Sequence, residues 1–200
     1  MQYATTTNKK QHVAEYLNKL TQTLTGLDHQ EIADALTLIE KAFLAGKYIW
    51  IAGNGGSAAT ASHMASDLQK TTIGKNPQSK NEQFKFRAIS LSDNIPVMTA
   101  WGNDEGYEHI FSQQLKVLAN PGDCLVVITG SGNSKNIIST VEEAKKIGMD
   151  TVGFLGFDGG KVRPMLNASI TVHTDDYGPI EDIHMVFDHL MTAYFKRNIC

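Results

Sequence analysis

The sequence predicts a three-layer α/β/α fold, in which helices cover both faces of a central five-stranded parallel sheet. Two observations lead to this prediction. Short apolar runs, each about as long as a buried strand, alternate along the chain with stretches whose apolar residues recur at helical spacing. Most of these runs end in a turn of glycine and small polar residues, after which a helical stretch begins, as in parallel sheets whose strands are joined by helices.

The apolar runs define the predicted strands. The first run begins at Tyr48 and stops at Gly53, and the clearest one is CLVVIT. Runs of this length are typical of strands rather than of helices. The strands are predicted at 48–52, 86–91, 124–129, 151–155 and 169–173. The helices between and after them are predicted at 58–69, 97–101, 109–118, 135–146 and 180–195.

Two helices are predicted before the first strand. Over residues 8–26, apolar side chains recur three or four positions apart and form one stripe. The stripe consists of Val13, Tyr16, Leu17, Leu20 and Leu24. A second helix over 28–45 begins at Asp28, a favourable N-cap residue, and closes at Gly46. We therefore expect a single domain over 1–200, with a helical extension at about 1–47 and an α/β core at 48–200.

The composition excludes several classes of protein. Hydrophobic residues make up 42% of the chain, which is too much for a disordered protein and enough for a sizeable core. A net charge of −3 gives no reason to expect nucleic acid as a partner, and no apolar stretch reaches the roughly 18 residues that span a membrane. The two cysteines, Cys124 and Cys200, form no disulfide framework, and no signal peptide is visible, so we expect a cytoplasmic protein.

The segment 71–85 is the longest predicted connection in the α/β core. It follows the first core helix, precedes the second predicted strand, and is polar and rich in turn-forming residues. A solvated loop is the ordinary structure for such a segment, and a lid that closes over a neighbouring site is the alternative. The composition of the segment fits both.

Two turns rich in glycine and hydroxyl groups follow predicted strands, GNGGS at 53–57 and TGSGNS at 129–134, and a third polar turn lies at 92–94. Ligands of parallel sheets bind beyond the carboxyl ends of the strands, where these turns are expected. Glycine lets the backbone approach a ligand closely, and the N–H groups of the following helix attract an anion. Phosphate binding is therefore predicted, with a tight turn without ligand as the alternative. Neither turn has a dinucleotide-binding or P-loop pattern.

Histidines and carboxylates recur in two of the predicted helices. His63 and Asp67 are four positions apart and share one helix face just after the first glycine turn. In the last helix, Glu181 and His189 are eight positions apart, about 80° around the axis and about 12 Å along it. Two imidazoles and two carboxylates suit Zn²⁺ or a similar divalent ion, provided that the two helices meet.

The last predicted helix contains a second pair of this kind. His184 and Asp188 are also four positions apart, so they lie on one face of the helix. That face differs from the one that carries Glu181 and His189. We therefore expect His184 and Asp188 to form a surface or interface pair outside the metal site.

Five segments of the chain together resemble the sugar isomerase (SIS) domain family and, more narrowly, the phosphoheptose isomerases. They are AGNGGSAATASHMASDL, LSDN, WGNDEGYEHIF, VITGSGNS and IEDIHMVFDHL. The resemblance extends over nearly the whole chain. It implies a ketose–aldose isomerase that interconverts sedoheptulose 7-phosphate and D-glycero-D-manno-heptose 7-phosphate for lipopolysaccharide or capsule synthesis. It also implies a homotetramer assembled through the amino-terminal helices.

The resemblance implies roles for the matching positions. The substrate residues would be Asn54, Gly55, Gly56, Ser57, Asp93, Asn94, Asn103, Thr129, Gly130, Ser131, Ser134 and Glu181. The ligands of a divalent metal, expected to be Zn²⁺, would be His63, Asp67, Glu181 and His189. Asp67 and His189 would also be the acid/base pair that moves a proton between C1 and C2. A residue that is fully committed to the metal cannot be a free base, so these two roles are partly exclusive and both stay open. Two positions depart from the family pattern, because Asp67 replaces the usual glutamate and Glu181 replaces a frequent glutamine.

Two other functions remain open for a chain with this resemblance. Some SIS proteins resemble the isomerase yet serve as sugar-phosphate sensors or as adaptors of the replication initiator, without catalysis. Other enzymes of the same fold isomerise or cleave different sugar phosphates. A non-catalytic protein would have no need of the histidines and carboxylates at the metal positions, which favours the enzyme.

Overall fold

A computed structural model describes residues 8–72, 74–75 and 83–198 of the chain. Its centre is a sheet of five parallel strands in the order β4-β1-β5-β6-β7, which confirms the predicted fold class. Strands β2 and β3 form a separate antiparallel hairpin. The strands are β1 (Tyr48–Gly53), β2 (Gly74–Lys75), β3 (Gln83–Phe84), β4 (Arg87–Ser90), β5 (Cys124–Thr129), β6 (Asp150–Gly156) and β7 (Ala168–Val172).

The helices of the described residues agree with the predicted ones to within a few residues, with one exception. They are α1 (Lys9–Thr25), α2 (His29–Leu44), α3 (Gly56–Lys70), α4 (Ile95–Asp104), α5 (Ser112–Leu118), α6 (Lys135–Ile147) and α7 (Tyr177–Asn198). The predicted helix 109–118 is interrupted, because a 3-10 turn at Tyr107–His109 precedes α5. The break between the two pieces lets the adjacent residues Ile110 and Phe111 both reach the core. None of the described helices combines the length and apolarity needed to cross a membrane.

The strands alternate their side chains between two hydrophobic cores, one on each face of the sheet. In β1, Ile49 and Ile51 belong to the core that also contains residues of α2, α3 and α7. Trp50 and Ala52 belong to the other core, beneath α5 and α6. This is the period of two that a strand buried on both faces requires. The result is three layers with the sheet in the middle.

The two amino-terminal helices pack differently. The side chain of Asp28 caps α2 by accepting the backbone N–H groups of Gln30 and Glu31, and α2 contributes five buried residues to a core. By contrast, α1 has no buried residue, and Val13 and Leu17 of its apolar stripe are 55% and 54% exposed. The described part of the chain therefore leaves much of the stripe on α1 uncovered.

The segment 71–85 contains a short hairpin where a long loop was predicted. Strands β2 and β3 pair in antiparallel register within it. Residues 73 and 76–82 lie outside the described residues, as does Cys200. The predicted lid therefore falls largely on residues that the structure does not describe, and it stays a prediction.

His184 lies in the core of the molecule, which corrects the prediction of a surface position. Its ring is 1% exposed and lies near Phe154 and Phe187, and its Nε2 is 3.2 Å from the carbonyl oxygen of Leu155. Burial lowers the pKa of His184 to about 4. The neutral ring donates from Nε2, and Nδ1 has no hydrogen-bond partner among the described residues. The prediction failed because both α3 and β6 cover α7, so more than one of its faces is buried.

We predict that His184→Gln removes part of the acid sensitivity of the fold. The pKa of His184 falls from 6.5 to about 4 on folding, so the unfolded state binds more protons between these two values. Stability is therefore lost as the pH falls through this window, by about 2 kcal/mol at pH 5 for this group. Glutamine keeps an amide donor for the carbonyl of Leu155 and does not titrate.

Urea unfolding of the wild type and of His184→Gln at neutral pH and near pH 5 measures this contribution. The two proteins share all other titrating groups, so the difference between their acid-induced losses of unfolding free energy reports His184 alone. Equal losses in both proteins would contradict the assignment.

Candidate phosphate and metal site

A cavity of about 160 Å³ lies at the carboxyl ends of β1 and β5. The turns that follow these strands surround it, and α3 and α6 begin there. Its lining residues are Asn54, Ser57, Ile128, Thr129, Gly130, Ser131, Ser134, Tyr177 and Glu181. Seven of the predicted substrate residues thus come together in one cavity. Ile128 and Tyr177 were not predicted, because neither lies in a glycine-rich turn.

The cavity offers neutral hydrogen-bond donors to an anion. Helices α3 and α6 begin at Gly55 and Ser134 without a side-chain cap, so N–H groups of their first turns remain available. The hydroxyl oxygens of Thr129 and Ser131 accept backbone N–H groups of their own loop at 3.2 and 3.3 Å, which leaves their hydrogens free to donate. Within the part of the chain that the structure describes, no lysine or arginine lines the cavity.

The start of α7 forms one wall of the cavity and approaches the two turns closely. A Cβ atom on Gly56 would lie 2.8 Å from a carboxylate oxygen of Glu181, and one on Gly130 would lie 2.7 Å from the ring of Tyr177. A side chain at Gly56 would displace the carboxylate of Glu181, and one at Gly130 would displace the ring of Tyr177, so glycine lets both groups take these positions at the cavity. Gly55 adopts φ 55, a left-handed conformation that glycine readily takes, where α3 begins.

Five predicted substrate residues are not among those that line this cavity. Gly55 and Gly56 lie at the start of α3, next to the lining residues Asn54 and Ser57, and the other three make contacts elsewhere. Asp93 accepts a hydrogen bond from the hydroxyl of Ser62. Asn94 caps α4 by accepting a backbone N–H of its first turn at 3.2 Å. Asn103 is exposed and donates to the neighbouring Asp104 at 2.7 Å. A substrate-binding role for these three residues stays a prediction.

A second cluster, of two histidines and two aspartates, lies further along α3 and α7. It consists of His63, Asp67, Asp188 and His189, and one ligand atom of each lies within 4.8 Å of the others. The two imidazole Nε2 atoms are 3.3 Å apart. His63 Nε2 is 3.6 Å from an oxygen of Asp67 and 3.8 Å from one of Asp188. The two helices therefore meet, as the metal prediction required.

The donor atoms of this cluster fit one divalent ion. Two Zn–N bonds of about 2.0–2.1 Å at a tetrahedral angle place their nitrogen atoms about 3.3–3.4 Å apart. Asp188 is fully buried, and neither of its carboxylate oxygens has a hydrogen bond of acceptable geometry to any residue that the structure describes. Burial, and secondly the charge of Asp67, raise the pKa of Asp188 to about 6. A cation in the cluster would supply the counter-charge that Asp188 lacks.

The cluster contains three of the four predicted metal ligands, His63, Asp67 and His189. Glu181, the fourth, lines the phosphate cavity with its carboxylate near Gly56, and its role as a metal ligand stays a prediction. Asp188 belongs to the cluster and was not predicted as a ligand. One signal pointed to Asp188: it lies on the same helical stripe as the apolar residues Met191 and Phe195.

Comparison with known proteins decides the family. A family model described as the SIS domain matches residues 13–156. A phosphoheptose isomerase of Nitratiruptor sp. is 40% identical over 152 residues, which are 76% of this chain and 78% of the relative. The chain belongs to the phosphoheptose isomerase family. Another phosphoheptose isomerase, from Helicobacter pylori, is 36% identical over 190 residues and extends this match to 95% of the chain and 94% of the relative.

Solved structures of phosphoheptose isomerases share the fold over nearly the entire chain. The enzyme of Neisseria gonorrhoeae superposes with a TM-score of 0.85 at 28% identity, covering 95% of this chain and 100% of that one. The enzyme of Francisella tularensis gives a TM-score of 0.83 at 28% identity, covering 96% and 100%. The family predicted from the five sequence segments is therefore confirmed.

We predict that Asp188→Asn weakens Zn²⁺ binding by at least about tenfold, because it removes a negative charge from the cluster at nearly constant volume. In the metal-free protein the same substitution removes an unpaired buried charge, so we expect a higher unfolding midpoint in urea. Competition with a chromophoric chelator, on protein stripped of metal, measures the affinity. Asp182→Asn is the matched control, since it makes the same change on α7 outside the cluster. Unchanged affinity in Asp188→Asn would rule out Asp188 as a ligand.

Proposed function

We propose that the chain is an isomerase that interconverts sedoheptulose 7-phosphate and D-glycero-D-manno-heptose 7-phosphate in heptose synthesis. Its membership of the phosphoheptose isomerase family supports an aldose–ketose isomerase. The main observation behind the proposal is that an anion-binding cavity and a cluster of histidines and carboxylates lie along the same pair of helices, α3 and α7. The anion-binding cavity lies where α3 and α7 begin, and the histidine–carboxylate cluster lies further along the same two helices.

The distance between the cavity and the histidine–aspartate cluster suits a seven-carbon sugar phosphate. Six residues of α3 lead from Ser57 in the cavity to His63 in the cluster, and seven residues of α7 lead from Glu181 to Asp188. At about 1.5 Å per residue, these separations are about 9 Å and about 10.5 Å. The extended carbon chain of a heptose spans about 7–8 Å at bond lengths near 1.5 Å. A substrate whose phosphate occupies the cavity thus reaches the cluster with its C1–C2 end.

The phosphate end of the substrate is bound by hydrogen bonds from neutral groups. We assign the donors to N–H groups at the starts of α3 and α6 and to the hydroxyls of the two turns. Glu181 is the one carboxylate among the lining residues. A carboxylate repels a phosphate but accepts hydrogen bonds from sugar hydroxyls. We therefore assign Glu181 to the carbon chain of the substrate, next to the phosphate.

The reacting end of the substrate lies at the histidine–aspartate cluster. Moving a proton between C1 and C2 requires a base and an acid within reach of those carbons, and we assign these roles to Asp67 and His189. Both retain exposed surface, whereas Asp188 is fully buried and serves only the metal. A divalent ion at this cluster would be held by His63 and Asp188, with Asp67 or His189 as a further ligand only when that residue is not moving the proton, and it would supply Lewis acidity at the hydroxy-carbonyl edge.

The uncovered stripe on α1 supports an assembly of several copies, and we assign a homotetramer formed through this helix. Val13, Leu17 and Leu24 of α1 are exposed, and so are Val186 and Leu190 of α7. Apolar surface of this kind normally packs against another subunit. We assign the reaction to the cytoplasm, where a buried free thiol such as that of Cys124 is common.

Product analysis tests the proposed activity directly. The Zn²⁺-loaded protein is incubated with sedoheptulose 7-phosphate, and the products are identified by ¹³C NMR. Formation of D-glycero-D-manno-heptose 7-phosphate is the expected result. Unphosphorylated sedoheptulose is the matched substrate control, and its kcat/KM should be at least about tenfold lower, because it forms no charged hydrogen bonds in the cavity. Binding of the sugar phosphate without turnover would instead identify a sensor.

We predict that Asp67→Asn lowers kcat for sedoheptulose 7-phosphate by about 10²- to 10⁴-fold, because the amide can neither take a proton nor act as a charged ligand. Asp67→Glu keeps a carboxylate on a longer stem and should retain most of the activity. Steady-state kinetics with bound Zn²⁺ quantified in each variant separates loss of the base from loss of the metal. If Asp67→Asn keeps most activity and metal, Asp67 only orients His63.

We predict that light scattering of the wild type at micromolar concentration gives a mass of about 88 kDa, four times the 21.9 kDa of one chain. Leu17→Glu places a charge on the apolar stripe of α1 and should lower this mass. Gln22→Glu adds the same charge at an exposed polar position of the same helix and should leave the mass unchanged. A wild-type mass near that of one chain would reject the tetramer.

A further inference from the structure

An interlocked pair of side-chain amides joins the two phosphate turns. Asn54 Nδ2 donates to Asn136 Oδ1 at 2.9 Å, and Asn136 Nδ2 donates back to Asn54 Oδ1 at 2.7 Å. Asn54 follows β1 and lines the cavity. Asn136 lies in the first turn of α6, is 2% exposed and does not line the cavity. Any influence of Asn136 on a ligand is therefore exerted through Asn54.

The backbone fixes the orientation of this amide pair. The N–H of Ile137 donates to Asn136 Oδ1 at 3.0 Å, and a backbone N–H can only donate. The atom that faces Ile137 must therefore be the oxygen of Asn136. The nitrogen of Asn136 is then left to face Asn54, where it requires the oxygen of that side chain.

Tyr107 completes the restraint on Asn54. Its hydroxyl donates to Asn54 Oδ1 at 3.0 Å. An amide oxygen accepts two hydrogen bonds, so Asn136 and Tyr107 together occupy the acceptor positions of Asn54. Of the two N–H groups of Asn54, one donates to Asn136 and the other has no partner among the described residues. This free N–H belongs to a side chain that lines the cavity.

We propose that Asn136 is a positioning residue, which together with Tyr107 turns the free N–H of Asn54 towards the sugar phosphate and its carbonyl oxygen away. An unrestrained asparagine would present its oxygen as readily as its N–H, and an oxygen that faces a phosphate oxygen is repulsive. The identity of the ligand rests on the proposed function. The restraint itself rests only on the hydrogen bonds of three side chains and one backbone N–H.

A double-mutant cycle between Asn54 and Asn136 tests this proposal. Asn136→Leu keeps the approximate shape of the side chain and removes both amide contacts. We expect it to raise the Kd for sedoheptulose 7-phosphate, measured by calorimetry, by about tenfold, and to raise KM in parallel with kcat little changed. In the Asn54→Ala background, the same substitution should produce no further change in Kd, because Asn136 acts only through Asn54.

Two further variants keep the test decisive. Tyr107→Phe changes a side chain that is 59% exposed, so folding is not at risk, and it should raise Kd about threefold in the wild type but not in the Asn54→Ala background. Ser139→Ala is the matched control on α6. It removes a hydrogen bond of 3.2 Å to Ser112 outside the cavity and should leave Kd unchanged.

The outcomes separate this inference from the proposed function. An unchanged Kd in Asn136→Leu, or equal increases in Kd with and without Asn54, would overturn the positioning role. If Asn136→Leu does not fold, the cycle between Tyr107→Phe and Asn54→Ala takes its place. In that cycle too, an increase in Kd that is the same with and without Asn54 would overturn the positioning role. A wild type that binds the sugar phosphate without isomerising it contradicts the proposed function, while the cycle on Kd still tests Asn136. A wild type that does not bind it contradicts both.

Discussion

The packing of α7 against α3 is the contact on which both parts of the site depend. Each helix begins at the phosphate cavity and carries two members of the histidine–aspartate cluster further along. Met64 of α3 and Phe187 of α7 are fully buried in the same core. Because packed cores resist small displacements, the polar groups along the two helices keep a fixed separation. In the proposed mode of binding, the distance between the phosphate and the reacting carbons is therefore set by helix geometry rather than by a flexible loop.

The strands and the phosphate turns could be predicted because short-range patterns encode them. The apolar run before Gly53 and the glycines after it determine a strand and a turn almost independently of the rest of the chain. The cluster could be predicted only in part, since residue spacing gives angles around one helix and not the faces that neighbours cover. Coverage of α7 by α3 and β6 buries His184 and Asp188, which were expected at the surface. The hydrogen bonds of Asn136 depend on tertiary contacts and had no local signal.

Several buried polar groups of helix α7 lower the stability of the fold. Of the five buried polar atoms that lack a hydrogen-bond partner among the described residues, four belong to this helix, on His184, Asp188 and Thr192. Each such atom costs free energy of folding, and apolar residues at these positions would avoid that cost. Local departures from optimal packing of this kind concentrate where a protein binds or reacts. A cation bound at the cluster would lower this cost at Asp188, and the fold of α7 would then be coupled to metal binding.

The described residues that line the phosphate cavity include no lysine or arginine, which has a kinetic consequence. Hydrogen bonds from neutral groups act at contact range, whereas salt screens interactions beyond a Debye length of about 8–10 Å. The chain also carries a net charge of −3, so its overall field does not draw an anion towards the cavity. Association with a sugar phosphate should therefore be slower than electrostatically steered binding and nearly independent of ionic strength. Such a site selects the phosphate by short-range hydrogen bonds that form after the two molecules meet. A change in salt concentration therefore has little effect on this selectivity.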